Sequence, residues 1–279
     1  MDSRRTANLS VGGFLIRALM FSLAGFMMCA GCVWADNSAP RPAVSAPFAE
    51  IEPLVTANPD DPAWGGAAVI PALTLSLGDG AKGLSPLPTS VKLLWDKQYL
   101  YIRFICSATR IISPYTKHDD PLYKGDVAEV FLDAKGDARQ WIEVEVSPKN
   151  VVYDGMTTLT AAPESDVNLI LDGDIISRDY WANPSWNLDK LRTAASIQKT
   201  DGRVTGWIVD LALPAGPTLQ RLGMSQFGPM KMKINFLRYE YEPAGDPKSP
   251  NTLYAMNWAP VMYGCPHISP QAMGTVELK

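Results

Sequence analysis

Histidine, cysteine and basic charge are all scarce in this chain. Only two histidines, His118 and His267, and four cysteines occur in 279 residues. No Cys-x-x-Cys, His-Glu-x-x-His, Gly-x-Ser-x-Gly or Gly-rich phosphate loop is present, which removes the common signatures of redox, metal-hydrolase, serine-hydrolase and nucleotide-binding chemistry. Beyond residue 35 no apolar run approaches the roughly 20 residues that a spanning helix needs. The first 35 residues hold three Arg and one Asp, so the rest carries 22 basic and 28 acidic residues, a net charge of −6. Without a basic stripe, neither nucleic acid nor an anionic membrane surface is an expected partner. Internal repeats and low-complexity runs are also missing.

What is present begins with an export signal. Arg4, Arg5 and Arg17 precede an uncharged run from Ala18 to Ala35, and Val33-Trp34-Ala35 resembles a signal-peptidase site. Residues 1–35 are therefore read as a signal peptide and the protein as exported, periplasmic or extracellular. Ala30-Gly31-Cys32 supports an alternative, a lipid anchor at Cys32. Residues 36–48, small, polar and Pro-rich, read as a flexible linker, leaving one domain over 49–279. After cleavage at Ala35 two cysteines remain, and Cys106 with Cys265 is a candidate disulfide in an oxidising compartment; two free thiols are the alternative.

Short alternating segments punctuated by Pro, Gly and Asp fill that domain. Strands are predicted over 67–77, 90–95, 100–108, 127–133, 140–147, 151–153, 192–199, 206–213, 231–240 and 275–278, with a brief helix over 218–227. Trp141, Glu143 and Glu145 alternate with Ile142, Val144 and Val146, the pattern of a strand with one hidden face. An all-β fold follows: two antiparallel sheets packed as a jelly-roll or immunoglobulin-like β-sandwich. Within it Trp95, Trp207 and Trp258 are expected in the core. Glu129 is the exception to the pattern. It sits inside the apolar strand 127–133, where an unpaired carboxylate would cost several kcal/mol, so a partner or a ligand is expected beside it.

The order of landmarks is similar to one known family. Asp60-Asp61-Pro62-Ala63-Trp64 is followed by Leu94-Trp95-Asp96 with Tyr99-Leu100-Tyr101, then Asp126 with Glu129-Val130-Phe131-Leu132-Asp133. Gly206-Trp207-Ile208-Val209-Asp210, Asn235-Phe236 with Arg238, Trp258-Ala259-Pro260 and Met273-Gly274 complete the series. This order resembles the family 9 carbohydrate-binding modules, β-sandwiches related to the sugar- and haem-binding DOMON domains. The resemblance implies a saccharide ligand, clamped between two aromatic rings and bonded by polar side chains; the missing catalytic motifs lead to a non-catalytic reading.

Carried over residue by residue, the first clamp position is Tyr123, the second is His267, and Glu129 keeps the ligand-bonding carboxylate. Where the family has an Arg and an amide on the next strand, this chain has Glu143 and Glu145. These two read either as a solvated strand face or as ligand contacts. Trp181 and Trp186, in the aromatic-rich stretch 179–186 read as a loop, are further sugar-platform candidates, with burial against the sheet as the alternative. The resemblance also allows structural calcium, for which Asp133 and Asp137 are candidates by residue type alone. Two other functions stay open: an accessory surface sandwich with a decayed sugar site, and a haem-binding domain ligated by His118, His267, Met230, Met232, Met262 or Met273.

Overall fold

Alternation is the rule that builds this molecule, and its strands sort cleanly into two sheets. The computed structural model describes residues 41–77, 83–84, 86–159, 180–242, 252–261 and 266–279. The predicted signal peptide, Cys32, Met262 and Cys265 lie outside these. The strands are β1 Ala43–Ala46, β2 Ala68–Ile70, β3 Thr74–Leu77, β4 Gly83–Leu84, β5 Thr89–Trp95, β6 Tyr99–Ser107, β7 Val127–Asp133, β8 Gln140–Val146, β9 Val152–Leu159, β10 Tyr180–Asn183, β11 Arg192–Thr200, β12 Arg203–Pro214, β13 Met230–Glu242, β14 Thr252–Asn257 and β15 Gly274–Leu278. Among the described residues the larger sheet has ten strands, running β10-β9-β8-β7-β13-β14-β3-β4, with β15 also on β13 and β1 on β15, and the smaller has five, in the order β11-β12-β6-β5-β2. Among the described residues no helix is long and apolar enough to cross a membrane.

The inner faces meet in one apolar core. Val130, Leu132, Val144, Ile234 and Phe236 of the larger sheet pack against Leu93, Ile102, Phe104, Val209 and Leu211 of the smaller. Phe104 and Phe236 meet edge to face across it, ring centroids 6.0 Å apart. Arg238 also points inward and is completely buried, which is tolerable because both terminal nitrogens of its guanidinium are engaged. It donates to Thr89 Oγ1 at 2.7 Å and Ser107 O at 2.6 Å, and pairs with Glu240. The motif residues Asn235, Trp258 and Gly274 form one packing unit. Asn235 holds the Ala259 backbone from both sides, and the Trp258 ring lies over Gly274, where a Cβ would come within 2.4 Å of it.

Each sheet also has a covered outer face. Over the smaller sheet, Trp64 and Ala49 pack on Leu94, Tyr101 and Ala212. There Arg103 and Asp210 form a bidentate ion pair at 2.7 and 2.9 Å with essentially no solvent contact. Over the larger sheet, the 3-10 turns Pro266–Ile268 and Pro270–Ala272 bring Ile268 and Met273 onto Phe131, Trp141, Leu159 and Leu237.

Several expectations are corrected. The linker 36–48 does not extend to its predicted end: Ala43–Ala46 is β1, paired in parallel with β15, and Trp95 Nε1 donates to Ala46 O at 3.1 Å. Small, Pro-rich composition concealed it, because its strand character comes from the partner β15 and not from its own residues. The predicted strand 67–77 breaks at Pro71 into β2 and β3, which belong to different sheets. Tyr180–Asn183, read as loop, is an edge strand on β9, and β9 itself continues to Leu159. The helical turn starts earlier than predicted, with α1 Ala215–Thr218 followed by a 3-10 turn Gln220–Leu222.

The candidate disulfide is likewise not formed at Cys106, which is a free thiol facing the core. Burial pushes its pKa up to about 12. Native protein and Cys106→Ala are expected to react equally with a water-soluble thiol reagent at pH 8, and to differ by one thiol only after denaturation.

Candidate functional site

The outer face of β7, β8 and β9 gathers charge where the pattern leads one to expect water. Alternation puts Glu129 and Phe131 of β7 and Glu143 and Glu145 of β8 on this face, and the register sets Glu129 opposite Glu145 and Phe131 opposite Glu143. The solvated-face reading of Glu143 and Glu145 is overturned. Glu129, Glu143 and Glu145 are only 1%, 2% and 4% exposed, because the C-terminal turns close over them. Like charges directly opposite one another destabilise a sheet, so this cluster needs compensation.

Part of that compensation is His267, carried by the Pro266–Ile268 turn. Its Nε2 lies 3.0 Å from Glu143 Oε1, while Thr157 Oγ1 of β9 donates to Glu143 Oε2 at 2.9 Å. The imidazole sits against Phe131, 4.9 Å between centroids, and stacks on Tyr180 of β10 at 4.5 Å and 16°. Glu129 Oε1 and Glu145 Oε2, by contrast, are buried with no hydrogen-bond partner. Burial first, then the Glu143 carboxylate, pushes the Glu129 carboxyl up to about 8, with His267 opposing the rise. Glu145 is held well above the usual carboxylate range, by burial and then by Glu129 and Glu143. Both carboxyls are therefore more readily protonated than an exposed glutamate.

Tyr123 borders the same row. It belongs to the turn Leu122–Lys124 that enters β7, its ring is about half exposed, and its carbonyl accepts from Tyr241 Oη at 2.9 Å. Tyr241 feels the Glu129 charge, which, after burial, raises its own pKa. Tyr123, Glu129, Glu143, Glu145 and His267 thus belong to one neighbourhood.

Trp181 and Trp186 do not join them. Successive residues of β10 face opposite ways, so Tyr180 faces His267 while Trp181 lines a separate cleft of about 390 Å³ at the sheet edge. Trp186, Gln140, Met156, Asn183, Gln220 and Arg221 complete that cleft. Trp181 is 59% exposed, whereas Trp186 also packs on the interior core. The contributions of Tyr180 and Thr157 escaped sequence reading. Tyr180 sits in the misread edge strand, and Thr157 lies in the part of β9 that the prediction stopped short of.

Among the described residues, the aspartates proposed for calcium and the methionines proposed for haem are engaged elsewhere. Asp133 accepts from the backbone N–H groups of Lys135, Gly136 and Ala138, and Asp137 pairs with Arg221 at 2.8 Å and Lys135 at 3.1 Å. A cationic side chain and backbone donors already occupy these oxygens, so the pair does not fit calcium. Met232 belongs to the interior core and Met273 to the outer cluster, with Met230 packed at the margin of the former. His118 and His267 both turn Nε2 toward carboxylates.

A two-sheet antiparallel sandwich whose outer sheet face gathers carboxylates between aromatic rings belongs to the class of β-sandwich binding modules. Residues 56–279 match the family described as carbohydrate family 9 binding domain-like, and the chain belongs to that family. Among solved structures, it is similar to a candidate carbohydrate-binding protein from Bacteroides uniformis ATCC 8492, with a TM-score of 0.61 at 12% identity over 86% of this chain and 100% of that one. A carbohydrate binding module family 9 from Caldicellulosiruptor kristjanssonii in complex with glucose gives 0.53 at 15% identity, covering 85% and 96%. The same description with cellotriose gives 0.52 at 14%, covering 85% and 94%. At these identities the likeness is one of fold. No curated protein sequence matches.

Proposed function

We propose that this chain is an exported, non-catalytic carbohydrate-binding protein, and that its saccharide docks on the outer face of β7 and β8 between Tyr123 and His267. The observation that carries this reading is the pair of unpartnered oxygens, Glu129 Oε1 and Glu145 Oε2. Leaving a buried polar atom unpaired costs about 1–3 kcal/mol, and sugar hydroxyls that reach these atoms when the covering Pro266–Ile268 turn shifts would relieve that cost. A half-exposed tyrosine at the rim provides flat apolar surface for the C–H face of a pyranose. Family membership and the glucose and cellotriose ligands of similar folds support the same class of ligand. The N-terminal signal reading supports export, by cleavage at Ala35 or by anchoring at Cys32. Glu129 and Glu143 sit in one buried cluster and are not spread across a cleft, which favours binding over the two-carboxylate chemistry of glycosidases.

Titration calorimetry against mono- and oligosaccharides, including glucose and cello-oligosaccharides, tests the proposal. Tyr123→Ala is expected to weaken binding by about 1 kcal/mol, roughly fivefold. Absence of heat with every sugar would leave the second reading, an accessory surface sandwich whose site has decayed. The contacts that favour this second reading are those of His267, which already fills its place with Glu143 and Tyr180. Trp181→Ala reports separately on the edge cleft: an unchanged affinity assigns the ligand to the carboxylate face alone.

A further inference from the structure

We infer that His118, Asp119, Asp154 and Asn187 form a binding site for a divalent first-row transition-metal ion. The four come from three places. His118 and Asp119 lie in the connection from β6 to β7, Asp154 in β9, and Asn187 after the edge strand β10. His118 Nε2 has three oxygens around it: Asp154 Oδ1 at 3.0 Å, Asn187 Oδ1 at 3.1 Å and Asp119 Oδ1 at 3.4 Å. One ring nitrogen carries at most one hydrogen, so a single N–H can satisfy only one of them well. A cation explains the grouping better. Donors bound to a common ion at about 2.0–2.2 Å stand about 3.0–3.4 Å from one another in octahedral or tetrahedral arrangements, the separation of Nε2 from each of the three oxygens, and the ligand atoms of His118, Asp119 and Asp154 all lie within 4.8 Å of one another.

Each donor is aimed by a contact of its own. Asp154 is only 3% exposed, and its other oxygen accepts the Leu188 N–H, leaving Oδ1 turned to the site. Asn187 donates from Nδ2 to Ser185 O at 3.2 Å, which fixes Oδ1 as the atom facing His118. Asp119 is tied by its N–H to Val152 O at 3.0 Å, at the start of β9. Among the described residues no Lys or Arg pairs with either aspartate, so two carboxylates converge with only an imidazole between them. A dication balances that charge. The nitrogen donor selects the class of ion, because imidazole suits zinc-like ions whereas calcium takes oxygen throughout. His118 and Asp119 are 49% and 31% exposed at their side chains, which leaves room for water to complete the coordination shell. Such an ion would tie the β6–β7 connection to β9 and to the segment after β10, and so brace the edge strand that carries Tyr180 and Trp181.

The test uses the tag-free full chain stripped with chelator. Titration with zinc chloride is expected to show one equivalent bound and a rise in the thermal midpoint. His118→Ala and Asp119→Asn, both partly exposed, should fold normally yet bind zinc more than about tenfold more weakly, since even outer-shell partners contribute that much. The cobalt(II) adduct should show ligand-field bands that His118→Ala abolishes. Zinc binding unchanged in both variants, no zinc uptake by the parent protein, or uptake of calcium but not zinc would each overturn the assignment. Saccharide affinity is read on the same samples and can fail or succeed independently of it.

Discussion

Asp210→Ala is expected to lower the unfolding free energy by about 3–5 kcal/mol, because it strands the Arg103 guanidinium in a nearly solvent-free site. Asp210 accepts two bonds from Arg103 and a third from the Ala57 N–H at 2.8 Å, so one carboxylate joins β12, β6 and the segment covering the outer face of the smaller sheet. Trp64 lies over the same guanidinium, 4.6 Å from its carbon to the ring centroid, and encloses it further. For a domain of this size each kcal/mol shifts the thermal midpoint by about 2–4 °C. Urea unfolding at pH 7 measures the effect directly, and a loss below about 1 kcal/mol would refute the role given to the pair. The double variant Arg103→Met/Asp210→Leu should be milder than Asp210→Ala, since removing both charges leaves neither stranded.

Stability is also expected to fall as pH rises from about 5 to 8, and Glu129 is one of the buried carboxyls that cause it. Its folded pKa of about 8 lies above the ordinary 4.5, so in this window the folded protein holds a proton that the unfolded chain has released. The folded state then binds more protons, which makes the slope of unfolding free energy with pH negative. The contribution is fully present below about pH 4.5 and lost as pH rises through about 8. Each unit of difference corresponds to about 1.4 kcal/mol, so several kcal/mol are at stake over the window. Glu145, shifted the same way, adds to the trend. Glu129→Gln removes the titrating group while keeping the shape of the side chain. Its urea midpoint should therefore vary less with pH and exceed that of the parent protein at pH 8. A parent protein as stable at pH 8 as at pH 5 would contradict this account.

The fold was legible because alternation is a local property. Ile142, Val144 and Val146 against Trp141, Glu143 and Glu145 is enough to define a strand and its two faces, and most of the central strands were found this way within a residue or two. The failures were at the edge strands and at β14, which lies between β13 and β3 and was not predicted. β1 has only small apolar residues and β10 is four residues long, and both are held by pairing with a neighbour, β15 and β9. The break between β2 and β3 depends on a chain that leaves one sheet for the other, which no pattern of seven residues records.

The site divides in the same way. Sequence alone marked Glu129 as an anomaly, put Glu143 and Glu145 on one face, and through the motif order named Tyr123 and His267. It could not say that the face is dry. That was decided by residues 266–273, which fold back over β7 and β8 so that His267 reaches a glutamate 124 positions earlier in the chain. Whether a carboxylate row is hydrated or buried depends on what covers it, and the cover is a long-range contact. The periodicity of a strand specifies which side chains share a face; only packing decides whether water reaches them.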